Sequence, residues 1–243
     1  MPSTKEIRTR MKSVEQTLKI TNAMYLIASS NLRKAKEQLA KAAPYYKRID
    51  AAIADILHRS PDLRHRFLDA RPEIPAEERK VGYLVLSGDK GLAGAYNHNV
   101  LKLAEQRLQG TAKPKLFVAG LVGRAYFQER KIPFEEGFSY VVQNPTMTRA
   151  RDISDEMVQR FLDGELDEVH ILYTEMVSAL RLEVQERTLL PLVRENFPWE
   201  PPKGEVILPP VTYIPSPEAV LDAIVPGGYV RGIVFGALVE SFC

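Results

Sequence analysis

An apolar residue recurs about every 3.5 residues through the first sixty residues of the chain. Reading from Ile7 in alternating steps of four and three gives Met11, Val14, Leu18, Thr21, Tyr25, Ala28, Leu32, Ala35, Leu39 and Ala42. The same stepping continues through Tyr46, Ile49, Ile53 and Ile56, and Thr21 is the only polar stop. A repeat held this long marks a coiled-coil seam rather than a helix resting on a globular core. Lys12, Glu15, Lys19, Arg33, Lys34, Lys36 and Glu37 fall between the seam positions, and Ser3 or Thr4 is placed to cap the start. Pro44 removes one ladder hydrogen bond, so a kink or break is expected there, in one bent helix or two abutting ones. Pro61 is a natural stop.

Length decides what such a helix is for. Residues 4–58 at ~1.5 Å per residue span roughly 80 Å. The remaining ~185 residues should pack with a radius of gyration near ~16 Å, hence a diameter of roughly 40 Å. About half of the helix must then project beyond the body. An isolated helix with an apolar seam is marginal in water, so another helix must cover it.

Charge follows the same division. The 243 residues carry 33 Lys and Arg against 31 Asp and Glu. Residues 1–60 hold twelve of those basic residues and only five of the acidic ones. A basic arm on a mildly acidic body points to a partner. The single cysteine, Cys243, allows neither an internal disulfide nor a cysteine-based zinc site, which suits a reducing compartment. The N-terminal residues lack an apolar signal core. The longest apolar stretch, near the end, is interrupted by Gly227, Gly228 and Arg231, so no membrane span is expected. The expectation is a soluble intracellular chain that serves at a membrane only through others.

After a polar linker at residues 61–80, residues 81–228 read as an α/β domain. Val81–Ser87 and Lys115–Gly120 are short apolar runs suited to buried strands, with a third short strand expected over 133–142. Helices are expected from about His98 to Leu108, capped by Asn97, and from Gly123 to about Lys131. Another carries Met157, Val158, Phe161 and Leu162, with Asp152 or Ser154 as its cap. Strand Glu168–Met176 is followed by an extended stretch, Ala179–Leu190, that can pair back as a hairpin. A Pro-rich passage over 191–210 holds the only tryptophan, Trp199. Alternating strands and helices predict a Rossmann-like, mostly parallel sheet with flanking helices. Pro217 opens a helix through Val225, and a last helix starts near Tyr229. That helix has no glycine cap, closing basic turn or proline, so the sequence is expected to stop inside a helix of the kind the seam lacks.

The loop Ser87-Gly88-Asp89-Lys90-Gly91-Leu92-Ala93-Gly94 lies between a strand and a helix, where α/β proteins often hold phosphate. Its GxxGxxG spacing matches neither the dinucleotide fingerprint nor the Walker pattern, and a tight turn explains it as well. His58, His65, His98 and His170 show no i, i+4 pairing, and no metal is expected. Glu77-Glu78, Glu135-Glu136, Asp155-Glu156 and Asp167-Glu168 are adjacent pairs whose side chains diverge, which suits a solvated surface better than acid/base work. No GxSxG elbow occurs. The basic helix could neutralise nucleic-acid phosphates, but its charges surround the seam and aromatic residues for stacking are few. An acidic protein partner fits better, and nucleic acid is not expected.

Several segments carry a resemblance. Lys5-Glu6-Ile7-Arg8, Met11-Lys12-Ser13-Val14-Glu15-Gln16-Thr17 and Lys19-Ile20-Thr21-Asn22-Ala23-Met24 closely resemble the N-terminal helix of the gamma subunit of F-type ATP synthases. Ala28 to Ala35 and Pro44-Tyr45 continue the likeness. Ser87 to Asn97 is similar to that family's second signature, with Ala93 and Ala95 where the family often has Cys and Gly. Pro215-Ser216-Pro217-Glu218, Val220-Leu221-Asp222 and Ala237 to Ser241 resemble the approach to its final helix, which begins with Arg-Met-x-Ala-Met and is not found here. The resemblance thus suggests a gamma subunit truncated just after Cys243. It implies a non-catalytic rotor shaft without cofactor, coupling ion flow through a membrane ring to ATP synthesis on beta subunits. The implied partners are alpha and beta subunits, epsilon and the c-subunit ring, at the cytoplasmic face of the cell membrane. It implies interface roles for Arg8, Met11, Lys12, Thr21, Met24, Leu32, Arg33, Lys34, Asp89 and Lys90. Two other readings stand beside it, an α/β nucleotide-binding protein using the Gly88–Gly94 loop and a basic coiled-coil adaptor.

Overall fold

The computed structural model describes residues 3–91, 93–178, 181–199 and 212–242. Helix α1 runs from Thr4 to Arg59, 56 residues, and so is roughly 84 Å long. Ser3 caps it through a reciprocal box. Its hydroxyl accepts from the Glu6 N–H, and the Glu6 carboxylate accepts from the Ser3 N–H at 2.8 Å. Pro44 does not break the helix. It lies on an exposed face, where the carbonyl it frees at Ala40 is open to water. The helix ends at Ser60, just before Pro61.

The body is a four-stranded sheet in the order β2-β1-β3-β4. Strands β1 (Lys80–Leu86), β2 (Lys113–Ala119) and β3 (Glu168–Ser178) are parallel, and β4 (Arg181–Leu190) returns antiparallel to β3. The alternation of strand and helix predicted a mostly parallel sheet, and the extended stretch after β3 suggested the hairpin; the strand order was not predicted. Period-two alternation sorts the side chains of β1 between two layers. Val81, Tyr83 and Val85 pack with α2 (Tyr96–Gln109) and α3 (Leu121–Glu129). Leu84 and Leu86 face the other way, into a larger core with α4 (Met147–Leu162), α5 (Pro217–Ile224), α6 (Arg231–Phe242) and the last turns of α1.

Several local expectations need correcting. Residues 133–142 form no strand, because Phe138 and Val142 are buried through turns rather than through a ladder. Helix α4 starts earlier than expected, and Thr146 caps it by accepting from Arg149 N–H. Asp152 and Ser154 therefore lie inside it. Asn97 is also inside its helix, and its side chain accepts from Gly88 N–H at 2.7 Å instead of capping. The two last helices are joined by a π-helical turn, Val225–Val230, into one run. That run, 217–242, is long and apolar enough to cross a membrane. Here Leu221, Val225, Val230, Val234 and Leu238 are instead fully buried in the body.

Residues 61–79 contain no helix or strand but are firmly held. Arg71 donates to the Leu166 and Phe161 carbonyls and to Asp167 at 2.6–2.8 Å, and its guanidinium lies 4.7 Å from the Phe161 ring. Phe67 is fully buried. Cys243, Leu92, Ala179, Leu180 and most of the Pro-rich passage, 200–210, lie outside the described residues.

Candidate functional site

The projecting half of α1 is the candidate site. Every residue from Ser3 to Ser29 is exposed, and Ala35 is the first fully buried one. Met11 is 67% exposed, Leu18 58% and Tyr25 70%, values foreign to a seam that has found its partner. Thr21, the polar stop, donates its hydroxyl to the Thr17 carbonyl at 2.9 Å, as Thr17 does to Ser13. Neither hydroxyl would be orphaned if a partner closed over it. Arg8, Lys12, Arg33 and Lys34 are exposed, and Leu32 is half-buried at the start of the packed portion. Lys19 and Glu15 form an exposed pair at 3.2 Å that contributes little to stability.

A second apolar stripe escaped the heptad reading. Ile20, Met24 and Ile27 follow i, i+4, i+7 and are 61%, 49% and 62% exposed. At ~100° per residue their mean direction lies about 125° around the helix from the seam. Met24 belongs to this stripe rather than to the seam. With Leu26 also exposed, residues 18–27 present apolar surface on most sides. Such a helix belongs in an enclosing environment rather than against a single partner. Ordinary 3.6-residue periodicity contained the signal, which the longer heptad repeat obscured.

Asp89 and Lys90 are elsewhere, on the loop after β1. The sheet order reverses at β1, and such switch points are where α/β proteins bind ligands. Here the loop fills the position itself. The first three N–H groups of α3 are all taken: Leu121 donates to Asp89 Oδ1 at 3.0 Å, Val122 to the Gly88 carbonyl at 3.1 Å, and Gly123 to Ser87 Oγ at 2.9 Å. The other carboxylate oxygen of Asp89 accepts from Val142 and Gln143 N–H at 2.9 and 2.7 Å. Gly120 has φ +100°, and a Cβ there would lie 2.1 Å from the Ser87 carbonyl oxygen. Asp89 thus occupies the place of an anion at the α3 N-terminus. Lys90 is exposed beside it.

Beside the packed half of α1, a groove of about 1400 Å³ is lined by α1, β3, β4 and the last helix. Burial pushes Asp50 and Glu240 above the usual carboxylate range and Tyr229 up to about 12. The histidines are dispersed. His58 stacks on Trp199, His65 lies 3.0 Å from Asp222, His170 lies 3.1 Å from Glu168, and His98 is exposed. Among the described residues no group of three His, Cys, Asp or Glu side chains converges to hold a metal.

Comparison with known proteins agrees with this geometry. The sequence profile of the family described as ATP synthase matches residues 3–243. The ATP synthase gamma chain of Ruminiclostridium cellulolyticum is 41% identical over 240 residues, covering 98% of this chain and 81% of that protein. That of Acetivibrio thermocellus is 40% identical over 241 residues, with the same coverage of 98% and 81%. The sodium ion specific gamma chain of Acetobacterium woodii is 34% identical, covering 97% and 80%. Among solved structures, a chain of the central stalk and c-ring of Tetrahymena thermophila mitochondrial ATP synthase superposes with a TM-score of 0.63 at 19% identity. The match covers 92% of each chain and shows a shared fold. With a family profile spanning the described chain and relatives this similar over nearly its whole length, the chain belongs to the ATP synthase gamma chain family.

Proposed function

We propose that the chain is the central-stalk, rotor-shaft subunit of an F-type ATP synthase, and that it is not itself catalytic. The exposed half of α1, apolar on two stripes and basic between them, is the observation that carries this reading. A shaft turning inside a ring meets different surfaces in succession, and so needs apolar surface around its circumference. Beta subunits of a surrounding alpha and beta ring would touch Met11, Thr21, Met24 and Leu32. Arg8, Lys12, Arg33 and Lys34 would face acidic loops, consistent with the basic excess of the first sixty residues. The body would sit toward epsilon and the c-subunit ring at the cytoplasmic face of the cell membrane, with Asp89 shaping the loop that presents Lys90. The absence of a catalytic role is supported by the Asp89 carboxylate, which holds the backbone donors a phosphate would need.

Hydrogen exchange tests the reading. Amides of residues 4–29 should exchange rapidly in the isolated chain and become protected on mixing with alpha and beta subunits. Equal exchange with and without them would overturn it, as would tight ATP binding by the chain alone.

A further inference from the structure

Contacts between α1 and the body change character along the helix. Between Leu39 and Ile49 they are mainly apolar. Gly228 packs on Ile49 and Gly232 on the Tyr46 ring, so closely that added Cβ atoms would lie 2.9 Å and 2.5 Å from those side chains. Burial and dispersion hold two helices together but depend little on direction, so such contacts resist relative twisting weakly.

The last turns are held differently. Asp55 accepts from Trp199 Nε1 at 3.2 Å and from the Tyr213 hydroxyl at 2.7 Å. Arg59, one turn on, donates from Nε to both Asp55 oxygens at 2.8 and 2.9 Å. Arg194 donates to the Leu57 carbonyl at 3.3 Å and, past the helix end, to the Leu63 carbonyl at 2.8 Å. The His58 ring lies flat on Trp199, with centroids 3.9 Å apart. Burial alone would raise Asp55, but the bonds from Tyr213, Arg59 and Trp199 outweigh it and hold its carboxyl below the usual range. These contacts are directional and several are charge-assisted; apart from the Arg59–Asp55 pair within α1, they reach α1 from the chain after β4 and before α5.

We propose that Asp55, supported by Arg194, is the torsional anchor of the shaft: the point where twist carried along α1 enters the body. The proposal rests on the rotor reading above. Twist applied to the projecting arm passes down α1 through its hydrogen-bond ladder, which lacks only the bond at Pro44, and crosses the apolar stretch at residues 39–49. It is transferred where hydrogen bonds grip side chains off the helix axis. Asp55 is a positioning residue, acting through the seating of α1 on the body.

Two readouts test this, using Asp55→Ala and the milder Tyr213→Phe. The first is the ratio of ion transport to ATP hydrolysis in the complete synthase. The second is fluorescence of the isolated chain, in which Trp199 is the only tryptophan. Losing the anchor should lower the ratio by about threefold or more in Asp55→Ala, and by less in Tyr213→Phe. In Asp55→Ala the emission should shift to longer wavelength as the indole N–H loses its acceptor. A purely structural role would reduce transport and hydrolysis together, through fewer assembled complexes, and leave the ratio unchanged. An unchanged ratio in both variants overturns the proposal, and so does unmoved emission in Asp55→Ala. Should Asp55→Ala fail to fold, Tyr213→Phe, which removes the hydroxyl donor but leaves the Trp199 bond in place, decides by the ratio alone. A wild-type complex that hydrolyses ATP without transporting ions would sink the rotor reading instead, and Trp199 emission would still report whether the clasp exists.

Discussion

Gly232 and Gly236 lie one helical turn apart on α6, and the same substitution should have opposite effects at the two sites. A Cβ at Gly232 would meet the Tyr46 ring at 2.5, 2.6 and 3.0 Å. That ring is itself held edge-to-face by Tyr45, with centroids 5.5 Å apart. Relieving the overlap requires a ring or helix shift of about 1 Å, and overpacking of this kind costs about 1–3 kcal/mol. Replacing glycine by alanine within a helix returns up to about 1 kcal/mol. Gly232→Ala should therefore lose up to about 2 kcal/mol net. At Gly236 no atom lies within 4 Å of the added Cβ, so only the helical gain remains. Gly236→Ala should stabilise by about 0.5–1 kcal/mol. Urea unfolding followed by circular dichroism measures both, and thermal melts should move by about 2–4 °C per kcal/mol for a chain of this size. Shifts of the same sign in the two variants would refute the close-packed account of α6 against α1.

Other outcomes can be tested on the isolated chain. The His170 ring and the Arg79 guanidinium together outweigh burial and hold Glu168 at about 2, against an ordinary value of 4.5. Its folded-state value is depressed, so its contribution is complete above the ordinary value and disappears as pH falls toward 2. Glu168→Gln should lose about 1–2 kcal/mol at neutral pH and converge with wild type near pH 2 in acid-denaturation curves. A constant gap down to that pH would contradict the assignment. Asp89→Ala should lose about 1–3 kcal/mol, chiefly from the buried Val142 N–H left without its acceptor. Asp89→Asn, which keeps an acceptor oxygen, should lose less in the same urea assay.

Much of this architecture could be read from the sequence because it rests on periodicity. The heptads gave α1 its extent, apolar runs gave β1, β2 and β3, and strand–helix alternation gave the parallel sheet. Apart from the cap of α4, which is local, the errors lie where a side chain makes a nonlocal bond. Asn97 has the composition of a cap, but its partner is Gly88, across the loop. The 133–142 stretch has strand-like residues, yet the backbone N–H of Val142 goes to Asp89 rather than to a ladder. Residues 61–79 look like a linker in composition because their anchors, Arg71 and Arg79, are surface residue types that become fastened only once Asp167 and Glu168 are in place. The interface was legible in part. Charge asymmetry and the seam located the arm, while the Ile20–Met24–Ile27 stripe was hidden beneath a stronger repeat. The grip on Asp55 was not legible, since Trp199 and Tyr213 are distant in sequence and meet only on the folded helix.

Rotation tests the central claim most directly. The synthase is fixed to a surface through its beta subunits, and a bead is attached at Glu129→Cys, an exposed position of the body, in a Cys243→Ser background. With ATP supplied, the bead should turn continuously in one direction and stop when hydrolysis is inhibited. A bead that stays fixed, or only jitters, while the same complexes hydrolyse ATP would contradict the account.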